Sequence, residues 1–458
     1  MKNSLDVCIL AAGKGTRMKS SIPKMLHEVA GKALLAHVID SVGNLSVNQI
    51  FVVVGSGSEQ VEAAFSRANL QFVRQSEQLG TGHAVQQAAP LLSSDRTLIL
   101  LGDAPLISET SLERLINTDG DLVVLTADHP NPANYGRIVR DGDEVLYIVE
   151  DRDASAAELQ IREINTGVMV ADTAKLKLWL QALSTDNDQK EYLLPDIVKV
   201  ARQQGCSVFA TLAESFEEAL GVNNFVQLSD AERAYQVRTA KEYQLGGVHI
   251  VDPTRFTRRG ELQVGREVMI DVDCVFEGKV ELGDGVRIGA NCVIKNATIG
   301  TNSIIKPFTH IEGAVMEENC QAGPFSRLRP GTYFEPEVAV GNFVEVKKSR
   351  LGTGTKASHL SYLGDATIGK DVNIGAGAIT CNYDGVNKHQ TQIDDNVFIG
   401  VNAALVAPIT ISEWSTVGAG STITTGVPLD SLSVGRAKQR NIEGWKGPRH
   451  KARDEREK

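Results

Sequence analysis

Long apolar runs are missing from this sequence of 458 residues. None approaches the roughly 18 residues of a membrane helix. The N-terminal run Val7–Ala12, preceded by Asp6, is too short for the apolar core of a signal peptide. Basic charge is also scarce: 47 Lys and Arg stand against 57 Asp and Glu, a net charge of −10, which argues against a nucleic-acid footprint. The six cysteines (Cys8, Cys206, Cys274, Cys292, Cys320 and Cys381) are scattered, with no C-x-x-C pair. That excludes a disulfide framework or a zinc site and leaves free thiols in a reducing cytoplasm as the expectation. Aromatic residues make up only 5%, while a hydrophobic content of 42% excludes a mostly disordered chain. The 42 glycines exceed the usual level, and they divide 15 to 27 about residue 229, so the excess belongs to the second half.

The two halves carry different hydrophobic periods. In the first, Val7–Ala12, Ile50–Val54, Thr97–Leu101 and Leu122–Ala127 read as buried strands. They alternate with helical patterns at Ala33–Ser41, Thr81–Leu92 and Thr110–Ile116. This order predicts a Rossmann-like α/β domain, a mostly parallel sheet with helices on both faces and its ligand beyond the carboxyl ends of the strands. Arg137–Val139 and Val145–Val149 predict a hairpin around Asp141-Gly142. A polar helix is predicted over Ser229–Leu245, opened by a Ser229/Glu232 capping box and closed by Gly246-Gly247, solvated and joining two domains.

Beyond it the period becomes six. Val264, Ile270, Phe276, Leu282, Ile288 and Ile294 form one run, Ile299, Ile305 and Ile311 a second after a slip of one, and Ile393, Ile399, Leu405, Ile411, Val417 and Ile423 a third. A helix cannot hold a period of six on one face, whereas short strands around a triangular coil can. Two segments break the frame, Cys320–Phe334 and Cys381–Gln392, and both are expected to leave the scaffold as loops. The charged tail from about Lys446 is expected to be disordered. The domains are therefore drawn at 1–227, a linker at 228–248, and 249–458.

Leu10–Met18 (LAAGKGTRM) follows the first strand, where a Gly-rich turn offers backbone N–H groups to an anion, with Lys14, Arg17 and Lys24 adding positive charge. It is neither a Walker A loop nor a dinucleotide fingerprint, since Met18 stands where a third Gly is needed. With SIPKML at 21–26, QSEQLGTGHA at 75–84, LLGDAPLI at 100–107, Tyr135-Gly136-Arg137, INTG at 164–167 and GVNN at 221–224, the first half resembles the nucleotidyltransferases that join a sugar 1-phosphate to a nucleoside triphosphate. The period-six half resembles the hexapeptide-repeat, left-handed parallel β-helix family. Within it, SRLRPG at 326–331, GNFVEVKK at 341–348, ASHLSYLGD at 357–365 and IGAGAITCNYDG at 374–385 resemble an acetyltransferase. Over essentially the whole chain, the sequence resembles the bifunctional N-acetylglucosamine-1-phosphate uridyltransferase/glucosamine-1-phosphate acetyltransferase family.

That resemblance implies specific roles. Arg17 and Lys24 would hold the triphosphate of UTP, with Leu10, Ala11 and Gly13 beside it. Gln75, Gly80 and Thr81 would read uracil, and Asp103 with Asn223 would hold Mg²⁺. Gly136, Glu150, Asn165 and Asn223 would hold the N-acetylglucosamine end. Leu101 stands where the family commonly has Tyr and would offer only its backbone. In the second half His359 would be the general base for the amine. Arg329, Lys347, Tyr362 and Asn373 would bind glucosamine 1-phosphate. Ala376, Asn382, Tyr383, Val401, Ala419 and Arg436 would bind acetyl-CoA, Val401 replacing a Ser common in the family. The resemblance further implies a cytoplasmic homotrimer acting on small molecules, with acetyl sites built from neighbouring prisms and neither nucleic acid nor membrane as partner. Two other readings stay open: a sugar-1-phosphate nucleotidyltransferase whose β-helix only assembles the protein, and a purely structural hexapeptide scaffold.

Overall fold

The computed structural model describes residues 4–55, 58–65, 69–187 and 189–456. It divides into two compact units, Met1–Lys241 and Glu242–Lys458.

The first unit is built on a nine-stranded sheet. Its strands are β1 (Leu5–Ala11), β2 (Gln49–Val54), β3 (Leu70–Arg74), β4 (Arg96–Leu101), β5 (Leu122–Asp128), β6 (Arg137–Asp141), β7 (Glu144–Val149), β8 (Glu163–Asp172) and β9 (Val208–Leu212). The spatial order is β3-β2-β1-β4-β8-β5-β9-β7-β6. Alternation sorts the two faces: Val7, Ile9 and Ala11 enter one core cluster, Cys8, Leu10 and Ala12 the other. Helices α1 (Leu34–Ser41), α2 (Ser58–Ala64) and α4 (Glu109–Asn117) cover the first face. Helices α3 (Thr81–Ala88), α5 (Thr173–Gln181) and α6 (Asp196–Gln203) cover the second. Helix α3 ends just before Pro90, which has no N–H to continue the ladder of hydrogen bonds.

Seven of the nine strands run in one direction, as expected of a mostly parallel sheet, and only β8 and β7 run against it. β3, β2, β1 and β4 run parallel, but β8 is antiparallel to both β4 and β5, and the β6–β7 hairpin is antiparallel. β8 carries the INTG segment. Val168, Met169, Val170 and Ala171 are fully buried, so both faces of the strand are covered.

Helix α7 spans Phe225–Leu245, starting a full turn before Ser229. Asn224 is the effective cap: its Oδ1 accepts from Gln227 N at 2.9 Å, while Gln227 Oε1 accepts from Asn223 N at 2.8 Å. Ser229 instead donates to Phe225 O inside the helix. Nor is α7 a fully solvated rod. Ala231 and Ala240 are buried, Glu232 accepts from Ala30 N at 2.5 Å, and Arg238 donates to Leu106 O at 2.8 Å.

The second unit is a prism of stacked parallel strands. Arg287, Ile304, Gln321, Ala339, Lys356 and Asn373 lie in register, one every 17 or 18 residues. Three hexapeptides, one of them sometimes shortened, therefore make a coil. The in-frame aliphatic residues point inward and are almost wholly buried, Val264 excepted. The glycines that follow them serve close stacking: a Cβ on Gly375 would stand 2.6 Å from Ile399 O, and one on Gly400 2.6 Å from Ala419 N. The left-handed corner comes two residues later and is most often Asn, Asp or Gly, as in Asn291, Asp371 and Gly377.

Cys320–Phe334 does not leave the scaffold. Gln321–Ala322, Arg327–Leu328 and Thr332–Phe334 are strands in register with their neighbours, and Ala322, Leu328, Phe334, Val340 and Val346 continue the period of six inside the prism. An alanine and a phenylalanine at inward positions hide the frame. Residues 381–392 do leave it: the step from Asn373 to Phe398 is 25 residues. The tail expected to be disordered carries a helix, α8 (Pro448–Arg456). Pro448 suits a first helical turn, and the Lys, Arg, Ala and Glu that follow are good helix formers.

Candidate active sites

In the first unit, a cleft of about 510 Å³ opens beyond the carboxyl ends of β1 and β4. Leu10, Gly13, Arg17, Lys24, Gln75, Gly80, Thr81, Leu101, Asp103 and Asn223 line it, so most of the expected nucleotide residues meet in one place. Gly15 makes the turn possible: its φ is +62°, and a Cβ there would lie 2.9 Å from Lys24 Cβ. The close approach lets Lys24 reach into the cleft. Its ammonium pairs with Asp103 Oδ2 and lies 2.8 Å from Asn223 Oδ1, which Arg17 Nη2 also approaches at 2.9 Å. Two oxygen donors from distant parts of the chain thus converge on one cation. Ala11 lies just outside, lining a smaller adjoining cavity with the Gly13–Gly15 turn.

The expected sugar residues form a second group. Asn165 N donates to Gly136 O at 2.9 Å. A Cβ on Gly136 would stand 3.6 Å from Glu150 Oε1 and 3.7 Å from Asn165 Cβ. Burial pushes the Glu150 carboxyl above its ordinary range, with Asp153 and Asp196 adding to the shift. This group adjoins the cleft through Gly167, which donates its N–H to Asn165 Oδ1 and packs against the Leu101 side chain. Leu101 thus contributes an apolar side chain to the cleft as well as backbone. Gln78 and Glu191 also line it and were missed. Gln78 shares the QLGTG segment, but nothing in the sequence marks Glu191.

In the prism, one corner gathers the acetyl-transfer candidates. His359 O, Ala376 O, Val401 O and Ala419 O each accept from the coil above, the last from Arg436 Nη1. Five expected residues therefore stack along one edge, four coil steps or about 19 Å from end to end. Such a length suits an extended acylated thiol arm. His359 Nδ1 lies 2.8 Å from Asn342 Oδ1, which can only accept, so Nδ1 carries the proton and Nε2 the lone pair. Asn342 was missed: GNFVEVKK was marked, but the register that sets Asn342 under His359 is not legible before folding.

On the next face, Arg329 pairs with Glu345 at 2.8 Å, and Lys347 sits in register with Gly364, beside Tyr362. The excursion adds Lys388, a cation that sequence reasoning missed. The neighbouring Lys347 pushes the Lys388 ammonium below its ordinary range. Lys347 and Lys388 thus hold two like charges close together near Tyr362, with the Asp365 carboxylate also facing Lys388. Asn382 anchors the excursion through Asp365, and Tyr383 is exposed at its tip. Asn373 is not brought into this group: it lies across the corner, stacked on Lys356.

The MobA-like NTP transferase domain family matches residues 7–159. The bacterial transferase hexapeptide family matches 262–296, and the hexapeptide repeat of succinyl-transferase matches 390–425. Curated relatives are similar over nearly their full length, each called "Bifunctional protein GlmU". One from Methylibium petroleiphilum is 53% identical, covering 98% of this chain and 100% of its own. One from Stutzerimonas stutzeri is 51% identical over 98% and 100%, and one from Marinobacter nauticus 50% identical over 97% and 99%.

Proposed function

This chain belongs to the GlmU family of bifunctional acetyltransferase/uridyltransferase enzymes, and from that membership we propose how its residues divide the two reactions. The uridyl site lies within residues 1–227 and the acetyl site within 249–458. The observation that supports this most strongly is that two separate constellations fall on two separately folded units: Arg17, Lys24, Asp103 and Asn223 in one, His359 with Arg329, Lys347 and Lys388 in the other.

In the acetyl site, Arg329, Lys347 and Lys388 bind the phosphate of glucosamine 1-phosphate. His359 Nε2 takes the proton from the amine as nitrogen attacks the thioester carbon. The C–S bond breaks and CoA leaves, its arm lying along Ala376, Val401 and Ala419 with Arg436 at the far end. Tyr362 and Asn373 hold the sugar, Asn373 across the corner, and Asn382-Tyr383 close the site.

In the uridyl site, a phosphate oxygen of N-acetylglucosamine 1-phosphate attacks the α-phosphorus of UTP, and pyrophosphate leaves. Arg17 and Lys24 neutralise the triphosphate and keep the groups in line. Gln75, Gly80 and Thr81 hold the base, and Gly136, Glu150 and Asn165 hold the sugar. The donor set fits Mg²⁺: two hard oxygens, Asp103 and Asn223, already converge on a cation, the Lys24 ammonium, and this ion commonly takes only one or two carboxylates besides phosphate. Bound there, Mg²⁺ supplies positive charge to the phosphate oxygens.

The chain works in the cytoplasm as a homotrimer. What supports the assembly is an exposed apolar edge on the prism. Phe308, Phe325 and Phe343 stack in successive coils with ring centroids 4.9 and 5.5 Å apart, and Leu360 extends the row. All four hold left-handed corners that most other coils give to Asn, Asp or Gly, residues that take this conformation more readily than bulky apolar ones.

The test is two assays on the purified chain. Free thiol is expected from acetyl-CoA only when glucosamine 1-phosphate is present. Pyrophosphate is expected from UTP only with N-acetylglucosamine 1-phosphate and Mg²⁺. Pyrophosphate release without any thiol release would favour the reading in which the prism only assembles the protein.

A further inference from the structure

Gln75 is 4% exposed and lies at the floor of the nucleotide cleft. Its Nε2 stands 3.1 Å from Gly80 O and 3.0 Å from His83 Nδ1. A carbonyl oxygen only accepts, so the amide nitrogen must face Gly80. Both amide hydrogens are then spent, one on Gly80 and one on His83. His83 Nδ1 therefore accepts from the Gln75 amide, and Gln87 Nε2 lies 3.0 Å from the other ring nitrogen. Tyr192 stacks against the imidazole with centroids 6.2 Å apart and fixes the ring plane.

What remains free is selective. Among the described residues nothing donates to Gln75 Oε1, and the N–H of Gly80 has no partner. Gly80 holds that N–H in place with a φ of +110°, and a Cβ would lie 2.5 Å from Tyr192 O, so no other residue fits. The cleft thus offers a donor followed by an acceptor. Uracil presents the complement, O4 followed by N3–H. Cytosine presents the reverse, an amino group followed by a bare N3, and leaves donor against donor and acceptor against acceptor.

We propose that His83 is the positioning residue for base choice: by accepting from Gln75 Nε2 it turns Oε1 toward the nucleotide and makes the cleft read uracil rather than cytosine. The inference rests on the assignment of Gln75 and Gly80 to the base. Without the Nδ1 acceptor only Gly80 O holds the amide nitrogen, so Oε1 is kept toward the base less firmly.

The test is kcat/KM with UTP and with CTP, N-acetylglucosamine 1-phosphate being the acceptor in each case. His83→Phe is expected to lower the UTP/CTP ratio by roughly 10- to 100-fold, through a weaker UTP reaction and a stronger CTP one. His83→Leu gives the same readout should the larger ring disturb folding. His83→Asn, whose Oδ1 accepts where Nδ1 did, is expected to restore most of the ratio. A His83→Phe variant slowed equally with both nucleotides, or an asparagine variant no better than the phenylalanine one, would overturn the proposal. Gln75→Ala separates the two layers. If it abolishes discrimination while His83→Phe does not, only the positioning role falls. If it leaves the ratio unchanged, the base-reading assignment falls and the role of His83 with it.

Discussion

Replacing His359 with alanine is expected to lower acetyl transfer by about 10²- to 10⁴-fold and to leave uridyl transfer unchanged. The amine of glucosamine 1-phosphate must lose a proton as it attacks, and His359 Nε2 is the lone pair poised to take it, because Asn342 ties up Nδ1 at 2.8 Å. The side chain is exposed on a rigid corner, so its loss removes a base without opening a core. Thiol release from acetyl-CoA reads the first effect and pyrophosphate release the second. Asn342→Ala should follow in the same direction with a smaller loss, since the ring keeps its place in the coil but not its tautomer. A His359→Ala protein that is folded and fully active in acetyl transfer would remove the base assignment.

The complementary change is Asp103→Ala, expected to cut uridyl transfer by about 10²-fold or more and to spare acetyl transfer. Among the described residues, Asp103 and Asn223 are the two whose side-chain oxygens meet the Lys24 ammonium. Removing it weakens metal binding and releases Lys24 together. The backbone at this position is held independently, Asp103 O accepting from Val222 N at 2.9 Å, so the turn survives the substitution. The deficit should shrink as Mg²⁺ is raised, which distinguishes a lost metal ligand from a collapsed cleft. Pyrophosphate release measured against Mg²⁺ concentration gives that curve.

Where hydrophobic period decides structure, the sequence was legible. The unbroken apolar run Val7–Ala12 placed the first strand as one covered on both faces, and a period of six marked the prism. Legibility failed where the inward residue was not a typical one. Ala322 and Phe334 continue the frame as surely as Ile305 does, yet their side chains broke the pattern and turned a stretch of coil into an apparent loop. It failed again where a cap lay before the obvious signal: Asn224 and Gln227 open α7, and the Ser229/Glu232 pair that looks like a capping box sits inside it. The direction of β8 was beyond reach, because a strand buried on both faces reads the same whether parallel or antiparallel.

The candidate sites divide along the same line. Arg17, Lys24, Asp103 and Asn223 fall into marked segments, and the fold brings them within hydrogen-bond distance across as many as 206 residues of chain. Lys388, Asn342 and His83 escaped or were left without a role, each for want of register. Lys388 matters because the excursion folds back on Lys347, Asn342 because it lies one coil beneath His359, and His83 because the loop ahead of α3 sets Gln75 against the first turn of that helix.

With His359 and Asp103 in the proposed roles, two sites in two units work independently and in sequence. Mixing the two inactivated proteins tests this most directly. Purified His359→Ala and Asp103→Ala chains are each given glucosamine 1-phosphate, acetyl-CoA, UTP and Mg²⁺, separately and then together. Neither alone should form UDP-N-acetylglucosamine at an appreciable rate, while the mixture should form it after a lag, as the acetylated sugar phosphate passes from one protein to the other. A mixture as inactive as its parts, with both proteins folded, would contradict the division of labour between His359 and Asp103.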